Sequence, residues 1–412
     1  MTKTFHYQEN LLFCEQVSLR EIVNRTSTPV YVYSLAAITN NIQRLKESLS
    51  NLDYEIYFAV KACSNIHILS QIHKAGCGAD IVSGGELFRA CLAQIPAEKI
   101  VFSGVGKTPK EIEEALKAKI AVINVESLFE LKIIEMLAQK NNTVASICLR
   151  VNPNIDAKTH AHVTTGTHDN KFGFSLDELG EALTFLKKAK NIKPVGLSCH
   201  IGSQIKTLAP FKQAWASVWE LSKKLPFKVE RIDIGGGLGI SYGSESSISI
   251  EEYGREVYSF FKDKKIKVSL EPGRILVADS GVLVTRVLGE KVRNGKKFCV
   301  LDAGMNDLLR PALYGSSHPV FSVQKPSISE IDSVSLVGPV CENADCFQKD
   351  AEIPKVVSGD LLAFGLAGAY GFSMASQYNS RPRSSEVLVQ ADNFKIIRSA
   401  ETYADLVSNE LL

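Results

Sequence analysis

The sequence contains no long apolar run. No stretch approaches the ~18–20 residues that a membrane-spanning helix needs. The most apolar segment, around Leu361 to Tyr370, is short and broken by glycines. Met1 to Cys14 also lacks a long apolar run, so no signal peptide is expected. Neither sign of charge is in excess: 47 Lys and Arg stand against 45 Asp and Glu, for a net charge of +2. A near-neutral chain gives no reason to expect a nucleic acid or an anionic membrane as partner. Cysteine pairs are missing too. The nine cysteines (Cys14, Cys63, Cys77, Cys91, Cys148, Cys199, Cys299, Cys341 and Cys346) are scattered, odd in number and free of C-x-x-C spacing. That pattern argues against a disulfide framework and against a structural zinc site. It sets the expectation of a reducing cytoplasm, with most thiols serving as small buried apolar groups. No metal set is apparent: His160 and His162 stand two apart, without a clear carboxylate or histidine partner. Internal repeats and low-complexity tracts are absent as well.

What is present suits an ordinary globular protein of two domains: 412 residues, 45% hydrophobic and 22% charged. Short β-branched runs predict strands over Tyr54–Val60, Gly78–Ser83, Ile100–Gly104, Ala121–Val125, Ser146–Asn152, Val195–His200, Arg231–Ile234 and Lys267–Glu271. Helical spacing appears at Ala36–Leu52, Pro109–Lys117, Ser127–Gln139, Leu176–Lys188, Pro210–Leu225 and Glu251–Lys262. Alternating β and α elements imply a parallel sheet, and eight repeats imply closure into a (β/α)8 barrel; a doubly wound open sheet is the alternative. After Arg274 the texture changes. Strand-like runs at Gly281–Leu288, Phe298–Asp302, Ser333–Val337, Asp360–Phe364 and Glu386–Val389 are separated by Gly, Pro, Asp and Asn, which predicts a mainly antiparallel β domain. The expected fold is therefore α/β, a barrel over 30–275, with 1–29 and 276–412 forming the β domain.

Functional residues of such a barrel gather at the C-terminal ends of its strands. The first strand stops at Lys61, an amine at the end of an apolar run and a candidate for covalent attachment of a carbonyl. Taken alone, it reads as an ordinary snorkelling lysine. The sixth ends in His200-Ile201-Gly202-Ser203, a histidine followed by a turn with free donors. A lone histidine is more often structural. The seventh ends in Gly235-Gly236-Gly237, and such a run lets backbone approach an anion. The eighth ends in Glu271-Pro272-Gly273-Arg274, either a surface turn or a carboxylate and a guanidinium brought to one place. Together these ends supply an amine, an imidazole, a phosphate cradle, a carboxylate and an arginine. That set fits pyridoxal 5'-phosphate, which needs a lysine for its aldehyde, donors for its phosphate and an acid for its pyridine nitrogen.

Phe58-Ala59-Val60-Lys61-Ala62 resembles the cofactor-lysine motif of fold-type III pyridoxal-phosphate enzymes, the alanine racemase-like group. His-Ile-Gly-Ser at 200–203, Gly-Gly-Gly at 235–237 and Glu-Pro-Gly-Arg at 271–274 are similar to its decarboxylase branch. The likeness runs from Pro29-Val30-Tyr31-Val32-Tyr33 to Tyr378-Asn379-Ser380-Arg381-Pro382. Lys171-Phe172-Gly173, Arg310-Pro311-Ala312-Leu313-Tyr314, Gly338-Pro339-Val340-Cys341-Glu342 and Ala369-Tyr370-Gly371 resemble the diaminopimelate decarboxylases in particular.

This resemblance implies a homodimer with two shared active sites that converts meso-2,6-diaminopimelate to L-lysine and carbon dioxide, the last step of lysine biosynthesis. It implies that Lys61 takes the cofactor aldehyde and that His200 stacks on the ring. Ser203, Gly235, Gly236, Gly237, Gly273, Arg274 and Tyr370 would serve the phosphate region, and Glu271 the pyridine nitrogen. Arg274, Arg310, Tyr314 and Tyr370 would contact substrate, the first three through its distal carboxylate, while Glu342 would meet its distal ammonium. Cys341 would donate a proton from the other subunit. Cys63, Asn343 and Gln377 depart from the family pattern without removing any of these groups. The competing readings are a decarboxylase of ornithine, arginine or a carboxylated polyamine, a racemase, and a non-catalytic protein on the same scaffold.

Overall fold

The computed structural model describes residues 4–155, 171–243, 245–325 and 330–411. Contacts divide the chain into two units: residues 41–240 with 246–275, and residues 1–40 with 241–245 and 276–412.

The first unit is a closed barrel of eight parallel strands. In chain order they are Tyr54–Ala59, Gly78–Ile81, Ile100–Phe102, Val122–Val125, Ala145–Arg150, Ile192–Ser198, Arg231–Asp233 and Lys267–Leu270. Each pairs with the next, and the eighth returns to the first, with Val268 opposite Tyr54. All eight agree with the sequence reading to within a few residues. Several strands, such as Gly78–Ile81 and Val122–Val125, are buried throughout. That is why they read as continuous apolar runs rather than alternating ones. Helices between the strands start where the chain supplies a cap. Thr108 with Glu111, Ser175 with Glu178 and Ser249 with Glu252 form capping boxes, each satisfying backbone donors at both ends of the first turn. Helix Pro109–Ala118 then buries Ile112, Ala115 and Leu116 at helical spacing. Two helices escape the spacing argument, Ile66–Lys74 and Gly84–Leu92. Both are short, and their clearest signals are the cap residues Asn65 and Ser83.

The second unit holds a nine-stranded sheet and a three-stranded one. Along the larger run Cys346–Pro354, Ile331–Val337, Lys296–Leu301, Gly281–Arg293, Val30–Ser34, Ser385–Gln390 and Asn393–Arg398, with Leu361–Phe364 and Val320–Ser322 off that path. Most pairs are antiparallel; Lys296–Leu301 with Ile331–Val337 and Val30–Ser34 with Ser385–Gln390 are parallel. The Asn294-Gly295 turn, both residues at positive φ, joins Gly281–Arg293 and Lys296–Leu301 into a hairpin. Here the structure corrects the expected boundary at residue 30. Val30–Ser34 is fully buried and pairs on both sides within this sheet, so it belongs to the β unit. Thr4 to Cys14 was expected to join the β domain. Phe5–Gln8 and Leu11–Cys14 form a small sheet of their own with Val17–Ser18. Its Phe5, Leu12, Cys14 and Val17 share one apolar core with Val30, Val32, Val282, Val284, Val387 and Val389. Strand Cys346–Pro354 escapes the sequence reading, because Lys, Asp and Glu interrupt its apolar positions and its alternation is broken where the register with Ile331–Val337 shifts; Phe347, Ala351 and Ile353 are nonetheless buried.

Among the described residues, no helix is long and apolar enough to cross a membrane.

Candidate active site

Lys61 lies in the tight turn Val60–Ala62 that ends the first barrel strand. Its Nζ donates to Asp80 Oδ2 at 2.8 Å. Asp80 sits in the second strand and is fully buried. The eighth strand delivers Glu271 beside this pair. Its Oε1 accepts from Ser103 Oγ and from Asn124 Nδ2, both at 3.1 Å, at the ends of the third and fourth strands. Burial, then the charges of Asp233 and Asp80, push the Glu271 carboxyl well above its usual range. Asp233, at the end of the seventh strand, is raised as well, first by burial. Three buried carboxyls thus converge where the sequence reading placed one. A cation arriving there, such as a protonated pyridine nitrogen, would relieve their mutual repulsion.

His200 follows the sixth strand. The Gly236 N–H donates to its Nδ1 at 3.2 Å, so the neutral ring carries its proton on Nε2. Burial, then the charges of Arg150 and Lys61, hold it well below the usual imidazole pKa. The glycine run behaves differently from expectation. Gly235 and Gly237 have φ of +67° and +101°. A Cβ on Gly236 would overlap the Glu271 carbonyl oxygen, and one on Gly237 the Gly202 carbonyl oxygen. Glycine is therefore required first by close approach of the neighbouring strand ends, and any approach to an anion builds on that packing. Gly273 is similar: its Cβ would stand 3.0 Å from the Cβ of Ala62, next to Lys61. Arg274 Nη2 donates to Ser203 Oγ at 3.1 Å, joining the loops after the sixth and eighth strands.

The remaining candidates lie in the β unit. Arg310 opens the short helix Arg310–Tyr314 and is only 4% exposed. Cys341 and Glu342 share one exposed loop. Asp345, buried beneath it, accepts from the Val340 N–H at 2.6 Å and the Met305 N–H at 2.7 Å, which ties the loop to the segment leading into Arg310. The Cys341 N–H donates to Asn379 Oδ1 at 2.8 Å. The hydrogen bond of Tyr378 to Glu342 raises the phenol pKa. Tyr370 takes a positive φ of 56°. Of the departures, Cys63 is buried, Asn343 is exposed, and Gln377 Nε2 donates to Glu401 Oε2 at 2.9 Å. His160 and His162 lie outside the described residues.

Sequence reasoning missed Asp80, Ser103 and Asn124. The available signal was a polar side chain inside an otherwise apolar strand. It also missed Asn379 and Asp345, which act on the loop of Cys341 from a distance in sequence.

Residues 35–278 match a family model described as the pyridoxal-binding domain of pyridoxal-dependent decarboxylases. A diaminopimelate decarboxylase of Aquifex aeolicus is 40% identical over 412 residues, 98% of this chain and 97% of its own. The chain belongs to the diaminopimelate decarboxylase family. Two solved members of that family bear on the fold. The Helicobacter pylori enzyme complexed with L-lysine is 42% identical with a TM-score of 0.90, covering 95% of this chain and 98% of that one. The M. jannaschii enzyme in complex with L-lysine is 35% identical with a TM-score of 0.94, covering 100% and 98%. The residues present fit the family's cofactor: the barrel mouth offers a lysine, a buried acid, a neutral imidazole and an arginine–serine pair.

Proposed function

We propose that this chain is a cytoplasmic, homodimeric enzyme that decarboxylates meso-2,6-diaminopimelate to L-lysine and carbon dioxide. Pyridoxal phosphate, when bound, supplies the electron sink that makes loss of the carboxylate feasible. Lys61 would hold its aldehyde carbon and Glu271 its pyridine nitrogen. Ser203, the backbone of Gly235 to Gly237 and Gly273, Arg274 and Tyr370 would hold its phosphate. His200, neutral and fixed in one tautomer, presents a flat uncharged face suited to stacking. Cys341 would return a proton to the reacting carbon.

Substrate choice rests on the distal end of the molecule, which does not react. Arg310 is the observation that carries this reading. It is a buried guanidinium whose Nη2 donates to Ser316 Oγ at 3.1 Å, with the Tyr314 ring centroid 5.6 Å away. Its planar fork suits a carboxylate, and neither ornithine nor arginine has a second one. Arg274 and Tyr314 would share that carboxylate, and Glu342 the distal ammonium. The exposed position of Cys341 and Glu342 supports a loop that serves a second subunit, so that a two-fold dimer completes both sites alike. Free thiols at all nine cysteines suit a reducing compartment. The partner is a small amino acid rather than a nucleic acid or a membrane.

Carbon dioxide release from meso-diaminopimelate, ornithine and arginine, each with added pyridoxal phosphate, tests the reading. Release from meso-diaminopimelate alone is expected. Preference for ornithine or arginine would transfer the chain to another decarboxylase activity.

A further inference from the structure

Arg310 has two aromatic neighbours, and one of them, Tyr242, belongs to none of the motifs named above. Its guanidinium carbon lies 4.9 Å from the centroid of the Tyr242 ring and 5.6 Å from that of Tyr314. Tyr314 belongs to the same five-residue helix, Arg310–Tyr314. Tyr242 comes from residues 241–245, which follow the glycine run in sequence yet belong to the β unit. Tyr242 is itself braced. The ring of His318 meets it edge-on, with centroids 5.1 Å apart and planes at 69°. His318 is 2% exposed, and its Nδ1 lies 2.8 Å from the carbonyl oxygen of Gly365. A carbonyl only accepts, so Nδ1 carries a proton and the imidazole orientation is set.

A helix of five residues has little intrinsic stability, so its first side chain depends on what surrounds it. An arginine left to sample many rotamers must be ordered when it binds, and that ordering weakens affinity. The face of an aromatic ring attracts a guanidinium through its quadrupole. The N–H donors of the guanidinium lie in its own plane, so a ring against its face leaves them available to a planar anion.

We propose that Tyr242 is a specificity-determining positioning residue, whose ring holds the Arg310 guanidinium ready for the distal carboxylate of the substrate. The inference rests on the role given to Arg310 above. It assigns the effect to the ring face rather than to the hydroxyl. Phenylalanine should therefore replace Tyr242, and leucine should not.

The test is steady-state kinetics on the cofactor-loaded wild type and on Tyr242→Phe, Tyr242→Leu, Arg310→Lys and the Tyr242→Leu/Arg310→Lys double variant. Inhibition by L-lysine, which keeps the distal carboxylate, is compared with inhibition by cadaverine, which has the same chain and both amines but no carboxylate. Tyr242→Leu is expected to raise the KM for meso-diaminopimelate and the inhibition constant of L-lysine together, by about tenfold, with kcat changed less than about threefold. Cadaverine inhibition should not move with them. Tyr242→Phe should recover most of the wild-type KM, and the double variant should be little worse than Arg310→Lys, because the two changes remove one interaction. An unchanged KM in Tyr242→Leu, a loss confined to kcat, or full additivity with Arg310→Lys would overturn the inference, while a raised KM in Arg310→Lys left the role of Arg310 standing. If Arg310→Lys itself leaves the KM unchanged, the role of Arg310 fails, and the role of Tyr242 with it.

Discussion

Lys61 is both held and reachable: its Nζ donates to the buried Asp80, while about a third of its side chain, 37%, remains exposed. An aldehyde entering from solvent can therefore meet an amine whose position is already set by the second strand. Borohydride treatment of the cofactor-loaded protein is expected to fix the pyridoxyl group on the peptide containing Lys61; fixation on a different lysine would contradict the assignment. His200 makes a second residue-level prediction. Burial and two nearby cations lower its pKa, so its ring stays neutral in the folded protein where a free histidine near pH 6.5 would be half charged. The sign follows from that direction. A lowered value in the folded state contributes stability above the unfolded value and loses it as the pH falls below that value. The His200 ring resonances should show no protonation shift between pH 8 and about 6, and a normal titration curve at this residue would remove the account of its environment. Lys61, His200, Glu271 and Arg274 are legible in the sequence because each stands at a strand end beside a turn. Asp80 and Asn124 are not, because a polar residue inside a buried strand can be placed only when its partners from other strands are known. Tyr242 is hidden for a similar reason: its partner Arg310 lies far along the chain.

At the scale of elements, eight strands and the longer helices follow from periodicity and caps, since burial on both faces and amphipathic spacing leave plain patterns. The strand Val30–Ser34 does not follow, because a buried central strand of a β-sheet reads like a barrel strand until its neighbours Gly281–Arg293 and Ser385–Gln390 are known. The glycine run is legible as a motif, and the structure supplies its reason: backbone from two adjacent strand ends leaves no room for a Cβ. Gly237→Ala would set a methyl group against the Gly202 carbonyl at a φ of +101°. Overpacking costs ~1–3 kcal/mol and a strained backbone ~1–3 kcal/mol. For a unit of this size each kcal/mol lowers Tm by ~2–4 °C. A Tm lowered by about 5 °C or more is expected by thermal denaturation, and an unchanged Tm would contradict the packing described for this loop.

At the scale of the whole molecule, the proposed dimer asks that Lys61 and Cys341 of different subunits work together. Lys61→Ala and Cys341→Ala proteins should each be nearly inactive. Mixed and reassociated in equal amounts, they should form about half heterodimers, each with one intact and one doubly damaged site. Activity should return to about a quarter of wild type if the sites act independently. No recovery, with subunit exchange confirmed, would place Cys341 in its own barrel. An active Cys341→Ala dimer would show the thiol to be structural. The chemistry itself is tested most directly by following L-lysine and carbon dioxide together, from meso-diaminopimelate with pyridoxal phosphate, for the wild type and for Lys61→Ala. The wild type is expected to give one L-lysine for each carbon dioxide, and Lys61→Ala no turnover. Isomerised diaminopimelate without carbon dioxide, or undiminished turnover by Lys61→Ala, would contradict that chemistry.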